Sequence, residues 1–147
     1  MQTLFPETGE EIPFRMVNHI SVSADGTTRM TFERTFSFPG VHRRFQATMR
    51  FCEREGLILD ALGAAGFLLV ELEPSIREGA ITIYSGRQWL TFFGLPLRIR
   101  LPGFLVAHAT IHEWQESEDS LGIRVAISNP LLGPFFGYEG AFHSCSD

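Results

Sequence analysis

The chain has 147 residues, of which 44% are hydrophobic and 20% are charged, and its formal net charge is -5. This composition is that of a folded protein with one core, and the acidic balance excludes a general nucleic-acid binder, which needs a basic face to neutralise phosphates. All 12 cationic side chains are arginines, so lysine Schiff-base chemistry is excluded as well.

The first third of the chain predicts an irregular segment followed by antiparallel strands. Residues 1–12 are rich in turn-forming residues. Asp25-Gly26 lies between two β-rich runs, and this dipeptide favours the positive φ angles of a tight hairpin turn. Pro39-Gly40 predicts the next reversal, between a strand that ends at residue 38 and a strand over residues 41–52.

Residues 57–72 form an almost continuous apolar run whose periodicity fits either a helix or a strand. Gly63 and Gly66 favour two strands joined by a turn, because each glycine would cost a helix about 1 kcal/mol. Pro74 is expected to end the second strand. Glu71 and Glu73 could act as an acid and a base, but their spacing at a strand end predicts that both face solvent.

The second half of the chain continues the pattern of short strands. Residues 85–103 contain two prolines and predict a strand or a loop with a sharp bend. A strand with two histidines follows, and then residues 121–128 alternate strictly between apolar and other side chains. The last strand ends near residue 143, so residues 143–147 are expected to be a tail.

These elements predict an all-β fold with eight to ten antiparallel strands. One open sheet could not cover this many phenylalanines or its own edges, so we expect a barrel-like or two-layer arrangement in a single β domain spanning residues 1–147. A barrel of about eight strands can hold one small ligand in its interior.

Two arginines are predicted to lie on a sheet face that is otherwise apolar. With Phe38 opposite Val41 in the hairpin, Arg34 and Arg43 become diagonal neighbours. Burying them without compensation would cost several kcal/mol. Three explanations are open. The two arginines grip the carboxylate or phosphate head of a ligand in an internal cavity, or a register error leaves them exposed. In the third, they pair with carboxylates on other partly apolar runs, namely Asp60, Glu113 and Glu139.

The sequence H-A-T-I-H contains His108 and His112. On a helix these imidazoles would share one face and could bind a metal, whereas on a strand their Cα atoms lie about 13 Å apart, too far for one zinc ion. We favour the strand and therefore predict no metal site. One of the two histidines is expected to line the interior and to make a hydrogen bond.

The segment "NPLLGPFFGYEG" has two interpretations. Its glycines could mark bulges and close backbone approach in a curved sheet. Alternatively, Tyr138 together with the missing side chains at Gly137 and Gly140 leaves room for a ligand. A further reading is an exposed apolar lip that would serve a membrane or a partner protein, formed by Leu131, Leu132, Phe135 and Phe136.

Several stretches carry a resemblance to a known family. "FFGLPLRIRLP" and "ISNPLLGPFFGYEGAF", together with "RTFSF", "RRF" and "LILDALGAAGFLLVEL", are similar to the bacterial family called domain of unknown function 4166. The resemblance spans roughly residues 13 to 143. Members of this family often follow a saccharopine-dehydrogenase-like domain or carry a membrane segment. The resemblance therefore implies an oxidoreductase partner, and it implies no activity of the domain itself.

The predicted function is non-catalytic binding of a small apolar or amphipathic ligand with an anionic head. Its polar contacts are predicted to be Arg34, Arg43, His108 and Tyr138. The alternative is a protein-interaction or accessory module that acts with a separate oxidoreductase. An enzyme ranks third, because the sequence has no G-x-S-x-G elbow and no nucleophile with an attached base.

No cofactor is predicted, because the sequence lacks the G-x-G-x-x-G pattern of dinucleotide-binding domains. Cys52 and Cys145 lie far apart and provide neither a disulfide framework nor a metal cluster. The chain shows no secretory signal and no apolar run of about 18 residues, so we expect no transmembrane segment and a cytoplasmic location with both thiols reduced.

Overall fold

The computed structural model describes residues 9–52, 56–62, 66–92 and 97–144. In these ranges, ten strands and one short 3₁₀-helix, Gly103–Leu105, form the regular structure. The strands are β1 (Phe14–Val22), β2 (Thr28–Phe38), β3 (Val41–Cys52), β4 (Leu57–Leu62), β5 (Leu68–Arg77), β6 (Ala80–Thr91), β7 (Arg98–Arg100), β8 (His108–Gln115), β9 (Ser120–Asn129) and β10 (Gly133–His143). The all-β prediction and its strand count are confirmed.

Hydrogen bonding connects these strands in the order β1-β2-β3-β4-β5-β6-β8-β9-β10, and β7 pairs with β6 beside that path. The pairings with a described register are antiparallel, as predicted. Strands β1 and β10 are the two ends of the order and do not pair with each other within the described ranges. The hydrogen-bonded sheet is therefore not closed into a barrel.

Both tight turns predicted in the first third of the chain are confirmed. The φ angles of Gly26 and Gly40 are 83° and 76°, a region that glycine enters without steric cost. The backbone N–H of Thr27 donates a hydrogen bond to Oδ1 of Asp25 at 3.0 Å, and this bond is the main reason why the pKa of Asp25 is lowered. The side chain of Asp25 thus stabilises the turn in the way typical of aspartate.

The strand interpretation of residues 57–72 is confirmed by β4 and β5, whereas the expected turn residues 63–65 lie outside the described residues, as do residues 53–55. Two details of this region were wrong. β5 continues through Pro74 to Arg77. Proline lacks the N–H that a ladder hydrogen bond needs, but its fixed φ angle is compatible with extended backbone, so it does not have to end a strand.

The second error concerns Glu71, which is buried with 6% of its surface exposed, while Glu73 is exposed as predicted. Burial of Glu71 follows from its position within β5, among the buried residues Leu69, Val70 and Leu72. Because β5 does not end at Pro74, Glu71 is not at a strand end.

The chain divides into two compact units. Unit 1 comprises Met1–Glu71 and Gln88–Arg100, and unit 2 comprises Leu72–Arg87 and Leu101–Asp147. β1–β4 and β7 belong to unit 1 and β8–β10 to unit 2, while β5 and β6 contribute to both. The prediction of one domain over residues 1–147 stays a prediction.

In unit 1, β1–β4 share one apolar face. The registers place the even-numbered residues of β1, β2 and β4 and the odd-numbered residues of β3 on this side. The opposite side is mostly polar in β1–β3, and we call it the polar face. There the hydroxyls of Thr31 and Thr48 lie 3.2 Å apart, and Nε of Arg44 lies 3.4 Å from a carboxylate oxygen of Glu33. β4 is apolar on that side as well, since Leu59 points there and is buried.

In unit 2, the predicted alternation of β9 holds at Ile123 and Val125, which are buried on one face of the strand, but not at Leu121, which is 44% exposed. Gly122 lies on the other face, opposite Trp114 of β8. A Cβ atom on Gly122 would overlap Cε2 of Trp114, so the indole lies directly over this glycine. The imidazole of His112 stacks on the same indole, with ring centroids 5.3 Å apart.

Gly122→Ala is expected to destabilise the fold, because the added methyl group forces Trp114 out of its position. Overpacking of this kind costs about 1 to 3 kcal/mol of unfolding free energy, which urea denaturation followed by circular dichroism would measure. Gly103→Ala is the matched control, since a Cβ atom there meets no other atom within 4 Å. In a Trp114→Ala background the penalty should disappear, and its persistence would contradict this explanation.

Candidate functional site

The predicted register of the β2–β3 hairpin is confirmed. Phe38 pairs with Val41, Arg34 with Phe45, and Phe36 with Arg43. Both arginines therefore lie on the apolar face of unit 1 as diagonal neighbours, and both are half-buried. The open alternative of a register error that exposes them is wrong.

Arg34 lies among apolar and polarizable groups. Its Nε donates to the sulfur of Met16, the residue opposite it on β1, at 3.4 Å. Its guanidinium carbon lies 5.8 Å from the ring centroid of Phe32, within the range of a cation–π contact. The sequence analysis did not identify Met16 as part of this site, although its even position in β1 places it there once the register is known.

Asp60 is the acidic residue of the apolar face, on β4 opposite Met49 of β3. Burial raises the pKa of this carboxyl from 3.8 to about 6, and the positive charge of Arg34 opposes part of that rise. Its Oδ1 atom is buried and accepts no hydrogen bond from the part of the chain that the structure describes. Burying an ionised carboxylate is costly without hydrogen bonds, so the environment favours the protonated form.

The three carboxylates proposed as partners of the arginines differ in position. Asp60 shares the apolar face of unit 1, and Arg34 acts on its charge. Glu139 in unit 2 is held by Arg124, the residue opposite it in the β9–β10 ladder, through two hydrogen bonds of 2.7 and 3.0 Å. Glu113 lies between Ile81 and Ile123 in the β6–β8–β9 register. Of the three carboxylates, Asp60 is therefore the one that lies on the same face as the two arginines.

Much of the apolar face is only half-buried. Phe36 and Ala47 are buried, but other large apolar residues of this face retain intermediate exposure in the structure, namely Phe14, Met16, Met30, Phe32, Phe38, Phe45 and Met49. Phe14 and Phe36 stack with ring centroids 5.8 Å apart. The face therefore combines accessible apolar surface with two guanidinium groups and one carboxyl.

The other two predicted site residues lie in unit 2. His108 pairs with Ser128, and Tyr138 pairs with Val125. Since Ser128 and Val125 point to opposite sides of β9, the side chains of His108 and Tyr138 lie on opposite faces of that ladder. Tyr138 packs edge-on against Phe136 at 6.1 Å, and His108 is exposed. Their roles as ligand contacts stay predictions.

The strand interpretation of the two histidines is confirmed, because both lie in β8. His112 makes the predicted hydrogen bond, with its Nδ1 atom 2.9 Å from the hydroxyl of Thr82. This hydrogen bond lies on the side of the sheet that carries Trp114, and the buried Ile123 lies on the other side. Within the described ranges, no group of three or more histidine, cysteine, aspartate or glutamate residues is arranged to hold a metal ion.

The glycine-rich segment at the start of β10 is explained by backbone geometry. The β9–β10 register shifts between Pro134 and Phe136, which is the predicted bulge. A Cβ atom on Gly137 would lie 2.9 Å from the carbonyl oxygen of Val125, so this glycine permits close backbone approach. These two features confirm the structural interpretation of the segment.

These features define an all-β antiparallel protein with a charged cluster on one sheet face. The family model called domain of unknown function (DUF4166) matches residues 1–142, and the chain belongs to this family. The uncharacterized protein YndH of Bacillus subtilis (strain 168) is 38% identical over 141 residues, which cover 94% of this chain and 67% of that protein. No solved structure matches the chain. Among the residues described, no helix is long and apolar enough to cross a membrane.

Asp60→Asn is expected to change the pH dependence of stability. Since its pKa is raised, Asp60 stabilises the fold most below the unfolded value of 3.8, and this contribution is lost as the pH rises through about 6. At about pH 8 asparagine avoids a buried charge, so the unfolding free energy should rise by up to roughly 3 kcal/mol. Urea denaturation at about pH 5 and pH 8 measures both values.

Asp25→Asn is the matched control, because the pKa of Asp25 is lowered and its contribution is lost as the pH falls. It should produce no gain at the higher pH. A loss of stability for Asp60→Asn at about pH 8 would mean that ionised Asp60 is a net stabilising partner of Arg34.

Proposed function

We propose that the apolar face of unit 1 binds a small amphipathic molecule. The apolar part of the ligand lies on the half-buried phenylalanine and methionine side chains, and its anionic head is held by Arg34 and Arg43. The observation that supports this proposal is the diagonal placement of two guanidinium groups on an accessible apolar face. Arginine favours carboxylate and phosphate oxygens because its forked donors can contact two oxygens at once.

The charge balance of this face also favours an anionic head. In β1–β4 its charged groups are Arg34, Arg43 and Asp60, and β1 contributes none. With two arginines and one carboxyl, the formal charge is +1 when Asp60 is ionised and +2 when it is protonated. Affinity for an anion should therefore rise as the pH falls through about 6, where Asp60 takes up its proton.

The proposed selectivity can be tested with decyl sulfonate, whose head remains anionic between about pH 5 and pH 8, and with decanol, which has the same chain and no charge. Below the micelle concentration, calorimetry should show tighter binding of the sulfonate, by roughly tenfold at about pH 5. Arg34→Met and Arg43→Met should each reduce this preference while binding of decanol continues.

Arg44→Met is the matched control, because Arg44 is adjacent in sequence but lies on the polar face beside Glu33. It should leave both affinities unchanged. In Asp60→Asn the preference should stay constant between about pH 5 and pH 8. The proposal fails if neither amphiphile binds, or if removal of both arginines leaves the preference intact. Thermal unfolding of each variant separates loss of binding from loss of fold.

A cytoplasmic location belongs to this proposal. The predicted internal cavity and the ligand contacts of His108 and Tyr138 stay predictions, and the proposed site of unit 1 does not depend on them. An accessory role beside an oxidoreductase is the competing hypothesis implied by the family resemblance. Under that hypothesis wild-type protein would bind neither amphiphile, which is one of the outcomes of the calorimetry.

A further inference from the structure

Four exposed apolar side chains of unit 2 lie on two short connections. Phe104 and Leu105 belong to the 3₁₀-helix before β8, and Leu131 and Leu132 form the turn between β9 and β10. Between 52% and 76% of the surface of each of these residues is exposed. Exposed apolar side chains that occur together are typical of an interaction surface, whereas single ones need no explanation.

Asn129 holds the two connections together. Its Nδ2 donates to the carbonyl oxygens of Phe104 and Val106, both at 3.0 Å. Its Oδ1 accepts from the backbone N–H groups of Leu131 and Leu132 at 2.9 and 3.2 Å. One side chain therefore bonds to both connections, so the four apolar residues form one surface feature, which we call the apolar tip.

The hydrogen bonds of Asn129 also satisfy backbone groups of the tip from within. The N–H of Leu105 donates to the carbonyl of Pro102 at 2.9 Å, so the 3₁₀-helix adds an internal bond of its own. Backbone polar groups that reach the acyl chains of a bilayer must be satisfied internally, because the hydrocarbon offers them no hydrogen-bond partner. A surface that remains in water has no such requirement.

The segments that carry the tip contain no acidic or basic side chain. Residues 101–107 and 125–138 are free of Asp, Glu, Lys and Arg. Charged groups near the tip would have to leave water on contact with lipid, and none are present in these two segments. The net charge of the whole chain is -5, which gives anionic lipid no electrostatic advantage.

From these observations we infer that the apolar tip inserts into the interface of an uncharged, zwitterionic lipid bilayer. Phe104, Leu105, Leu131 and Leu132 enter the boundary between headgroups and acyl chains, and Asn129 keeps them in a rigid arrangement. Binding is driven by burial of apolar surface and is peripheral. The inference is independent of the proposed ligand site, because it rests on other residues.

Flotation with phosphatidylcholine vesicles tests this inference. Wild-type protein should float with the vesicles, and adding phosphatidylserine should not increase binding. In the double variant Leu131→Ser/Leu132→Ser, the partition coefficient onto the vesicles should fall by roughly tenfold or more, because both apolar side chains are lost. Ile76→Ser/Leu121→Ser is the matched control, since these residues of β5 and β9 are 74% and 44% exposed and belong neither to the tip nor to the apolar face of unit 1.

A second measurement locates the inserted surface. Phe104→Trp should acquire fluorescence that brominated phosphatidylcholine quenches, beyond the quenching of Trp89 and Trp114 in wild-type protein. The inference is overturned if wild-type protein does not float, if binding requires phosphatidylserine, or if both double variants lose binding equally. It is also overturned if the leucine variant abolishes a concentration-dependent self-association that occurs without lipid, because the tip would then be an interface between copies of the chain.

Discussion

The unbroken register of β1–β4 is the constraint on which the candidate site depends. Phe14 pairs with Phe36, Arg34 with Phe45, and later along β3 Met49 pairs with Asp60, with no shift in any of the three ladders. Because side chains alternate with a period of two, a slip of one residue would move every side chain of a strand to the other face. The same register that collects the apolar side chains also places the arginines among them.

This placement has an energetic consequence for the charged groups. On an exposed surface, opposite charges pair in water, as Arg124 and Glu139 do, and such pairs contribute little to stability. On the apolar face, Arg34 contacts the Met16 sulfur and lies near the Phe32 ring. Burial raises the pKa of Asp60, which favours its neutral form. Two arginines and one largely neutral carboxyl give the face a positive formal charge.

Both units use glycines with positive φ angles in their turns, and unit 2 adds a second kind of connection. Gly26 and Gly40 have such angles in unit 1, and Gly79 and Gly133 have them in unit 2. In unit 2 the side chain of Asn129 also bonds to two connections at once. A turn of the first kind is a local feature. The second kind joins segments that are about 25 residues apart, and it leaves apolar side chains outside a rigid frame.

Local patterns in the sequence determined the strands, the two tight turns, the β2–β3 register and the shared face of Arg34 and Arg43, because each follows from neighbours a few residues apart. The errors at Glu71 and Pro74 have one cause, because proline was expected to end a strand that continues to Arg77. Only the tertiary structure decided that Arg34 meets Met16, that Asp60 shares its face and that Asn129 joins two loops. Each of these contacts brings together residues that are distant along the chain, and no local periodicity specifies such distances.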